Sequence, residues 1–271
     1  MNGATACWGR KTHKYGLVLR TSLQNNLAYA GGFVFDSLFY AFVVLIFIQL
    51  WRQIYRQGVP LAGYRLEQMI WYLIVTEMMT LSRSNVFEEL NQEIKSGNIA
   101  YLLTKPFDYL LYQAANGLGL VGWKWGINAL MGLALGLIFV GPLPGFQAAV
   151  LPWVLLAMAA ALTLNFLAMA CLGLSAFWLE ENSAFYWIYQ KLIFILGMLL
   201  PIELLPVWAQ RIAVWLPFPY ISYGPAKLAV DFSPERLVAI LEAQAGYILV
   251  LAALAWFIFR KGVARINVNG G

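Results

Sequence analysis

Residues 148–178 read AAVLPWVLLAMAAALTLNFLAMACLGLSAFW, a run without a charged side chain. A bilayer's hydrocarbon core is about 30 Å thick and takes about 20 helical residues at about 1.5 Å each, so this run is long enough to cross one. Working outward from it, further apolar windows lie at about 28–50, 64–83, 109–140, 184–202 and 237–259. The window at 64–83 is the weakest, since its solid apolar part is only Met69 to Leu81 and Glu77 lies inside it. A spanning segment must satisfy its backbone polar groups internally, which a helix does. The windows therefore predict an all-α, polytopic membrane protein with six transmembrane helices in a single domain over 1–271.

The composition agrees. The chain is 61% apolar and 11% charged over 271 residues, whereas soluble domains carry about 25% charged residues. Such apolarity excludes disorder, and a net charge of +5 scattered along the chain is no footprint for nucleic acid. The chemistry of catalysis is missing as well. His13 is the one histidine and lies in the N-terminal tail, so Ser-His hydrolysis, a His-rich metal centre and haem ligation lack their residue. No G-x-x-x-x-G-K-[ST] loop occurs, so the chain does not bind ATP by that route. Glu88-Glu89 and Glu180-Glu181 are adjacent pairs, and neighbouring helical residues diverge rather than converge. Cys7 and Cys171 form no metal or disulfide motif. The chain is expected to be no enzyme and to hold no cofactor.

Basic residues fix the expected orientation, because Lys and Arg are retained in the cytoplasm. Arg10, Lys11, Lys14, Arg20, Arg83, Lys95, Lys105, Arg260, Lys261 and Arg265 fall on one side of a six-span arrangement. The other side holds fewer: Arg52, Arg56, Arg65, Arg211, Lys227 and Arg236. Both termini are thus expected inside. Segment 10–27 mixes Tyr15, Leu17, Val18 and Leu23 with polar residues and reads as an interfacial helix before the first span. Trp51, Tyr55, Tyr64, Trp71, Trp153, Trp178, Trp208 and Trp215 sit where an aromatic belt belongs. Gly122, Gly126, Ala129, Gly132 and Gly136 share one helical face, a small-residue stripe suited to close helix packing within the subunit or, less simply, to dimerisation.

Ionisable residues inside apolar windows are costly and so raise the prior for a role. Asp36, Glu77, Lys124 and Lys191 are of this kind. The two lysines are placed to snorkel to the inner interface, while Asp36 and Glu77 call for a basic partner or a water-filled path.

Two stretches between the windows carry more. In 86–106, residues 86–95 read as a short helix with Phe87, Leu90 and Ile94 on one face and Glu88, Glu89 and Glu93 displayed elsewhere; Gly97 stops it and Pro106 turns the chain back. In 201–219, Pro201, Pro206, Pro217 and Pro219 bracket a helix with Trp208, Ile212 and Trp215 on one side and Gln210 and Arg211 on another, and Glu203 with Arg211 puts two charges beside it. Too short to span, it is expected to dip into the outer leaflet as a re-entrant hairpin.

The stretch EIKSGNIAYLLTKP at 93–106, the pattern LLPIELLPVW at 199–208 followed by WLPFPY at 215–220, and the terminal Asn-Gly-Gly resemble the ABC-2 type transporter permeases. The resemblance covers nearly the whole chain. It implies a half-size permease of the bacterial plasma membrane that pairs with a second copy, as homodimer or related heterodimer, surrounded by membrane lipid. Each copy would rest on an ABC ATPase subunit that binds ATP and Mg. It further implies that Glu88 to Gly97 form the coupling helix and Pro201 to Pro219 an outer gate. The alternative is a stand-alone secondary transporter or channel in which Asp36 and Glu77 handle ions; a third class is a membrane assembly factor without transport.

Overall fold

The computed structural model describes residues 13–25, 30–58 and 63–269, with 30–34 and 267–269 by backbone alone. Arg10, Lys11, Cys7 and the final Gly270-Gly271 lie outside the described residues, as do the ends of the expected interfacial helix and the start of the first window. The described residues are helical, with no strand. In order they form α1 over 13–25, α2 (Ala30–Arg56), α3 (Leu66–Leu81), α4 (Val86–Lys95), α5 (Asn98–Leu103), α6 (Tyr109–Phe139), α7 (Leu151–Leu174), α8 (Ser183–Ile193), α9 (Val207–Ala213), α10 (Tyr223–Val230) and α11 (Pro234–Asn269).

Among the described residues, four segments are long and apolar enough to cross a bilayer: Phe35–Arg56, Tyr109–Phe139, Ala148–Phe177 and Pro234–Ile266. The windows at 64–83 and 184–202 give shorter elements. α3 has 16 residues, and α8 passes into a π turn at Phe194–Met198 before Pro201 ends it. α11 continues past Arg260-Lys261, where the apolar window stops, because Val263 and Ile266 still find apolar neighbours.

The helices gather into two cores. One joins α2, α3, the first half of α7 and α10 through Tyr40, Ile48, Met69, Leu73, Ala157 and Leu228. The other joins α4, α5, the second half of α7, α8 and the end of α11 through Phe87, Leu90, Leu164, Leu174 and Ile193. α7 runs through both and packs chiefly on α11 and α4. α2 and α6 lie side by side. Lys124 Nζ is 3.2 Å from Asp36 Oδ2, and Arg52 donates to the carbonyl of Phe139. The two rungs are separated by about 24 Å along α2, close to the depth of the hydrocarbon. Lys124 therefore does not serve only as a free anchor; it forms an ion pair with Asp36 at one end of this helix pair.

The small-residue stripe of α6 is divided among neighbours. A Cβ at Gly136 would lie 2.5 Å from Trp71 of α3, and one at Gly132 would overlap Tyr40 Oη of α2 and lie 2.8 Å from Ile74 of α3, so these two glycines admit α2 and α3 within the subunit. Gly126 meets nothing and Ala129 lines a cleft. α1 packs along the first half of α6: Ser22 Oγ donates to the Asn116 carbonyl at 2.8 Å, Lys14 Nζ to that of Pro106 at 2.9 Å, and the Asp108 amide to Tyr15 Oη at 2.9 Å.

Candidate functional site

At one end of the bundle sits α4. Asn85 precedes it, Glu88 and Glu89 occupy its first turn and Lys95 its last, favourable ends for its dipole. Gly97 follows with φ +75°, the left-handed geometry that lets α5 begin immediately. The apolar face is buried in its own subunit. Leu90 is fully buried and Phe87 4% exposed; Phe87 stacks on Tyr186 with centroids 4.5 Å apart, and Ile94 packs at the same core. α7 presents Gly173 there, where a Cβ would lie 2.9 Å from that of Leu90.

The carboxylates of α4 are not all displayed, as the sequence pattern suggests. Glu93 accepts from Tyr109 Oη and, at 2.7 Å, from Gln113 Nε2, both on α6. Burial pushes the Glu93 carboxyl up despite these donors. Burial, and next the charge of Glu93, also raises Glu89 against a hydrogen bond from Asn116. Glu88, Gln92 and Lys95 form the exposed edge.

At the other end, the 201–219 stretch forms a 3-10 turn at Ile202–Leu204, α9, and a second 3-10 turn at Phe218–Tyr220. Gln210 Nε2 bridges back to the carbonyls of Leu205 at 2.8 Å and Glu203 at 3.3 Å. Tyr220 donates to the Val214 carbonyl and Tyr247 to that of Trp215, at 2.9 and 2.8 Å. Trp208, Ile212 and Trp215 face outward, Trp215 being 81% exposed, and Arg211 is exposed as well.

Glu203 turns inward. Its Oε1 accepts from Tyr223 Oη at 2.9 Å and Tyr64 Oη at 3.2 Å and lies 3.1 Å from Lys227 Nζ. Lys227 is buried, sits 4.2 Å from the centroid of the Tyr64 ring and reaches Asp231 Oδ2 at 3.0 Å, which also pairs with Arg236 at 3.1 Å. Burial opposes the Glu203 charge, but its own backbone amide, Lys227 and Tyr223 outweigh it and hold the carboxyl below its ordinary range. Asp231 is held low against burial by Lys227 and then Arg236. The partner of Glu203 is thus Lys227, while Arg211, the other charge of the stretch, is exposed. Sequence reasoning reads Tyr64 only as part of an aromatic belt and Lys227 only as a flanking charge, and does not join them with Tyr223 and Asp231; the i,i+4 spacing of Lys227 and Asp231 is the one local signal.

Glu77 is buried in α3, its Oε1 without a hydrogen-bond partner, while Asp36 is paired with Lys124 across α2 and α6. Among the described residues no cluster of His, Cys, Asp and Glu is arranged for a metal ion.

The model of one family, described as ABC-2 family transporter protein, matches residues 39–270. The chain belongs to that family. No curated protein matches the chain. Membership makes it a multi-pass membrane component of an ABC transporter, a transport protein rather than a catalyst. The match takes in α4, the 201–219 stretch and the Lys227 network alike, and α1 lies before it.

Proposed function

We propose that the chain is the permease subunit of an ATP-driven exporter in the bacterial plasma membrane. It works as a pair of copies, identical or related, with an ABC ATPase that supplies ATP and Mg binding. The carrying observation is the family match over 39–270 combined with the seating of α4. A helix pinned by Phe87 and Leu90 to α7, and by Glu93 to α6, passes a push on its exposed edge directly into two long apolar helices. Phe87, Leu90 and Ile94 act as the seat, while Glu88, Gln92 and Lys95 meet the ATPase.

In this proposal the chain crosses six times with both termini inside. α3 and the α8–π segment are the short spans. α3 runs antiparallel to α6, from Trp71 beside Gly136 to Ser82 bonded to Asn128 at 3.0 Å. α8 starts near Leu172 and its π turn reaches Tyr72, which donates to the Gly197 carbonyl at 3.0 Å. α1 is the interfacial helix, and 201–219 is the outer re-entrant hairpin, its aromatic face covered by lipid or the second copy. The exported substrate has no signature in these residues.

The test is isolation of the tagged full-length chain from its native membrane. A P-loop ATPase should accompany it in stoichiometric amount, and Glu88→Lys with Lys95→Glu should release it without unfolding the permease. A chain that transports with no ATPase attached overturns the proposal in favour of the secondary transporter.

A further inference from the structure

Lys191 stands on the outward face of α8. Trp187 and Ile188 precede it there by about one turn, Phe194 and Ile195 follow it, and all four are exposed, while Tyr189 and Ile193 face the core. Among the described residues Lys191 has no ion pair, hydrogen bond or ring contact. Its depth follows from its neighbours. Gln190 accepts from Arg83, Arg83 follows Ser82, and Ser82 is bonded to Asn128, one turn along α6 from Lys124. Lys191 thus lies near the α4 end of the apolar layer. Three cations, Arg83, Lys124 and Lys191, sit at about this depth, and of them Lys124 alone has a carboxylate partner, Asp36. Arg83 has only the neutral amide of Gln190. Glu88 approaches α8 at Tyr186, about 140° around the helix from Lys191. Glu181 accepts from the Ser183 amide at 2.7 Å, about 12 Å away along the axis.

We infer that this face of α8 binds an anionic phospholipid of the leaflet at the α4 end, the phosphate on Lys191 and the acyl chain along Phe194 and Ile195. An ammonium left among hydrocarbon is costly, so it must reach a polar group. Long side chains in a helix lean toward its N-terminus. Lys191 therefore carries its ammonium back toward Trp187, whose ring type belongs at headgroup depth. Phe194 and Ile195 lie one turn the other way, toward the middle of the bilayer, where a tail belongs. Charge selects the head. A phosphatidylglycerol phosphate brings a net negative charge to an unpaired ammonium with no carboxylate competing for it, whereas a choline head brings its own cation to a surface that already holds Arg83. The site requires only that the chain lies in a membrane, so it stands or falls independently of the export proposal.

The experiment uses the full-length protein, with whatever accompanies it, in phosphatidylcholine vesicles. A trace of phosphatidylglycerol or, in parallel, of phosphatidylcholine carries a photoreactive diazirine on the acyl chain. Adducts are mapped by mass spectrometry, and the phosphatidylglycerol-to-phosphatidylcholine labelling ratio at Phe194 and Ile195 is compared with that at the exposed α2 residues Phe42 and Ile46. The ratio on α8 should exceed that on α2 about fivefold, the preference that one basic group near anionic lipid confers. Lys191→Gln should bring the two ratios level while α2 labelling stays, which also reports that the variant is folded, and Lys191→Arg should keep the excess. Equal ratios on the two faces of the unaltered protein, or an excess that survives Lys191→Gln, overturns the site. Labelling of α2 with none at Phe194 and Ile195 means that protein covers this face, and overturns lipid as its occupant.

Discussion

α4 and α9 are both short amphipathic helices set between long apolar segments, yet they treat their apolar faces in opposite ways. Leu90 is fully buried and Phe87 nearly so, inside the subunit. Trp208 and Trp215 stand 68% and 81% exposed. In α9 only the small Ala213 is buried; Gln210 ties the helix back to the carbonyls of Leu205 and Glu203, and Glu203 just before it grips Lys227. The apolar stripe of a helix says that the stripe must be covered and leaves open by what. α4 is covered by its own chain and so is a rigid part of the subunit. α9 buries only Ala213, is fastened by the polar contacts of Glu203 just before it, and offers its aromatics to something else.

That contrast breaks most readily at Leu90. Leu90→Ala empties a fully buried site beside Gly173 and should cost about 2–5 kcal/mol, read as a lowered unfolding temperature of the purified subunit. Trp215→Ala, at an exposed position, should change subunit stability by less than about 0.5 kcal/mol while altering assembly or lipid contact. Equal destabilisation by the two substitutions would mean that α9 packs within the subunit just as α4 does.

Lys227 sharpens the same contrast from the polar side. Lys227→Met leaves Glu203 and Asp231 without their shared cation and Tyr64 without the ammonium on its ring. A fully buried pair broken on one side costs about 3–5 kcal/mol. Here the Glu203 and Asp231 side chains are 35% and 47% exposed, and water takes back part of that, leaving about 1–3 kcal/mol. The loss should show as faster hydrogen exchange in 201–219 with α4 unaffected. Unchanged exchange in the hairpin would remove Lys227 from the latch.

The uncharged run at 148–178 is legible as a long helix from its letters alone, and Ala148–Phe177 is indeed long and apolar enough to cross. α3 and α8 are harder to place, because 16 residues or a helix ending in a π turn have no compositional mark that separates a short span from a buried helix. The faces of α4 and α9 are visible in the spacing of Phe87, Leu90 and Ile94 and of Trp208, Ile212 and Trp215. Their partners are not. Gly173 and Tyr186 lie far along the chain from Leu90 and Phe87, and Lys227 lies far from Glu203, so those contacts are set by how α7, α8 and α10 fold back. Arg211 is the nearer cation along the chain and is nonetheless exposed, since nearness along a Pro-punctuated stretch says little about direction.

The smallest expected effect is one of sign. Glu203 and Asp231 are held below their ordinary range in the fold, the first by its backbone amide and Lys227, the second by Lys227 and Arg236, in each case against burial. A depressed carboxyl contributes stability that is present above its unfolded value, about 4, and is lost as pH falls through the lower folded value. Glu89 and Glu93 are raised, chiefly by burial. A raised carboxyl charges at a cost in the fold, so its penalty is present above the folded value and fades as pH falls toward the unfolded one. Acidification from pH 7 to about 4.5 should therefore hold or slightly increase protection of α4, with the hairpin unchanged. Below about pH 4 the hairpin should open first, as Glu203 loses its charge toward Lys227, Tyr64 and Tyr223. Amide exchange corrected for intrinsic rates reads both segments in one experiment. The Glu93→Gln variant should abolish most of the gain in α4, since its amide keeps the size facing Tyr109 and Gln113 without the titration. Parallel loss of protection in the two segments would mean that both helices are held by charge in the same way, and the difference between an inward apolar seat and an inward polar latch would not survive.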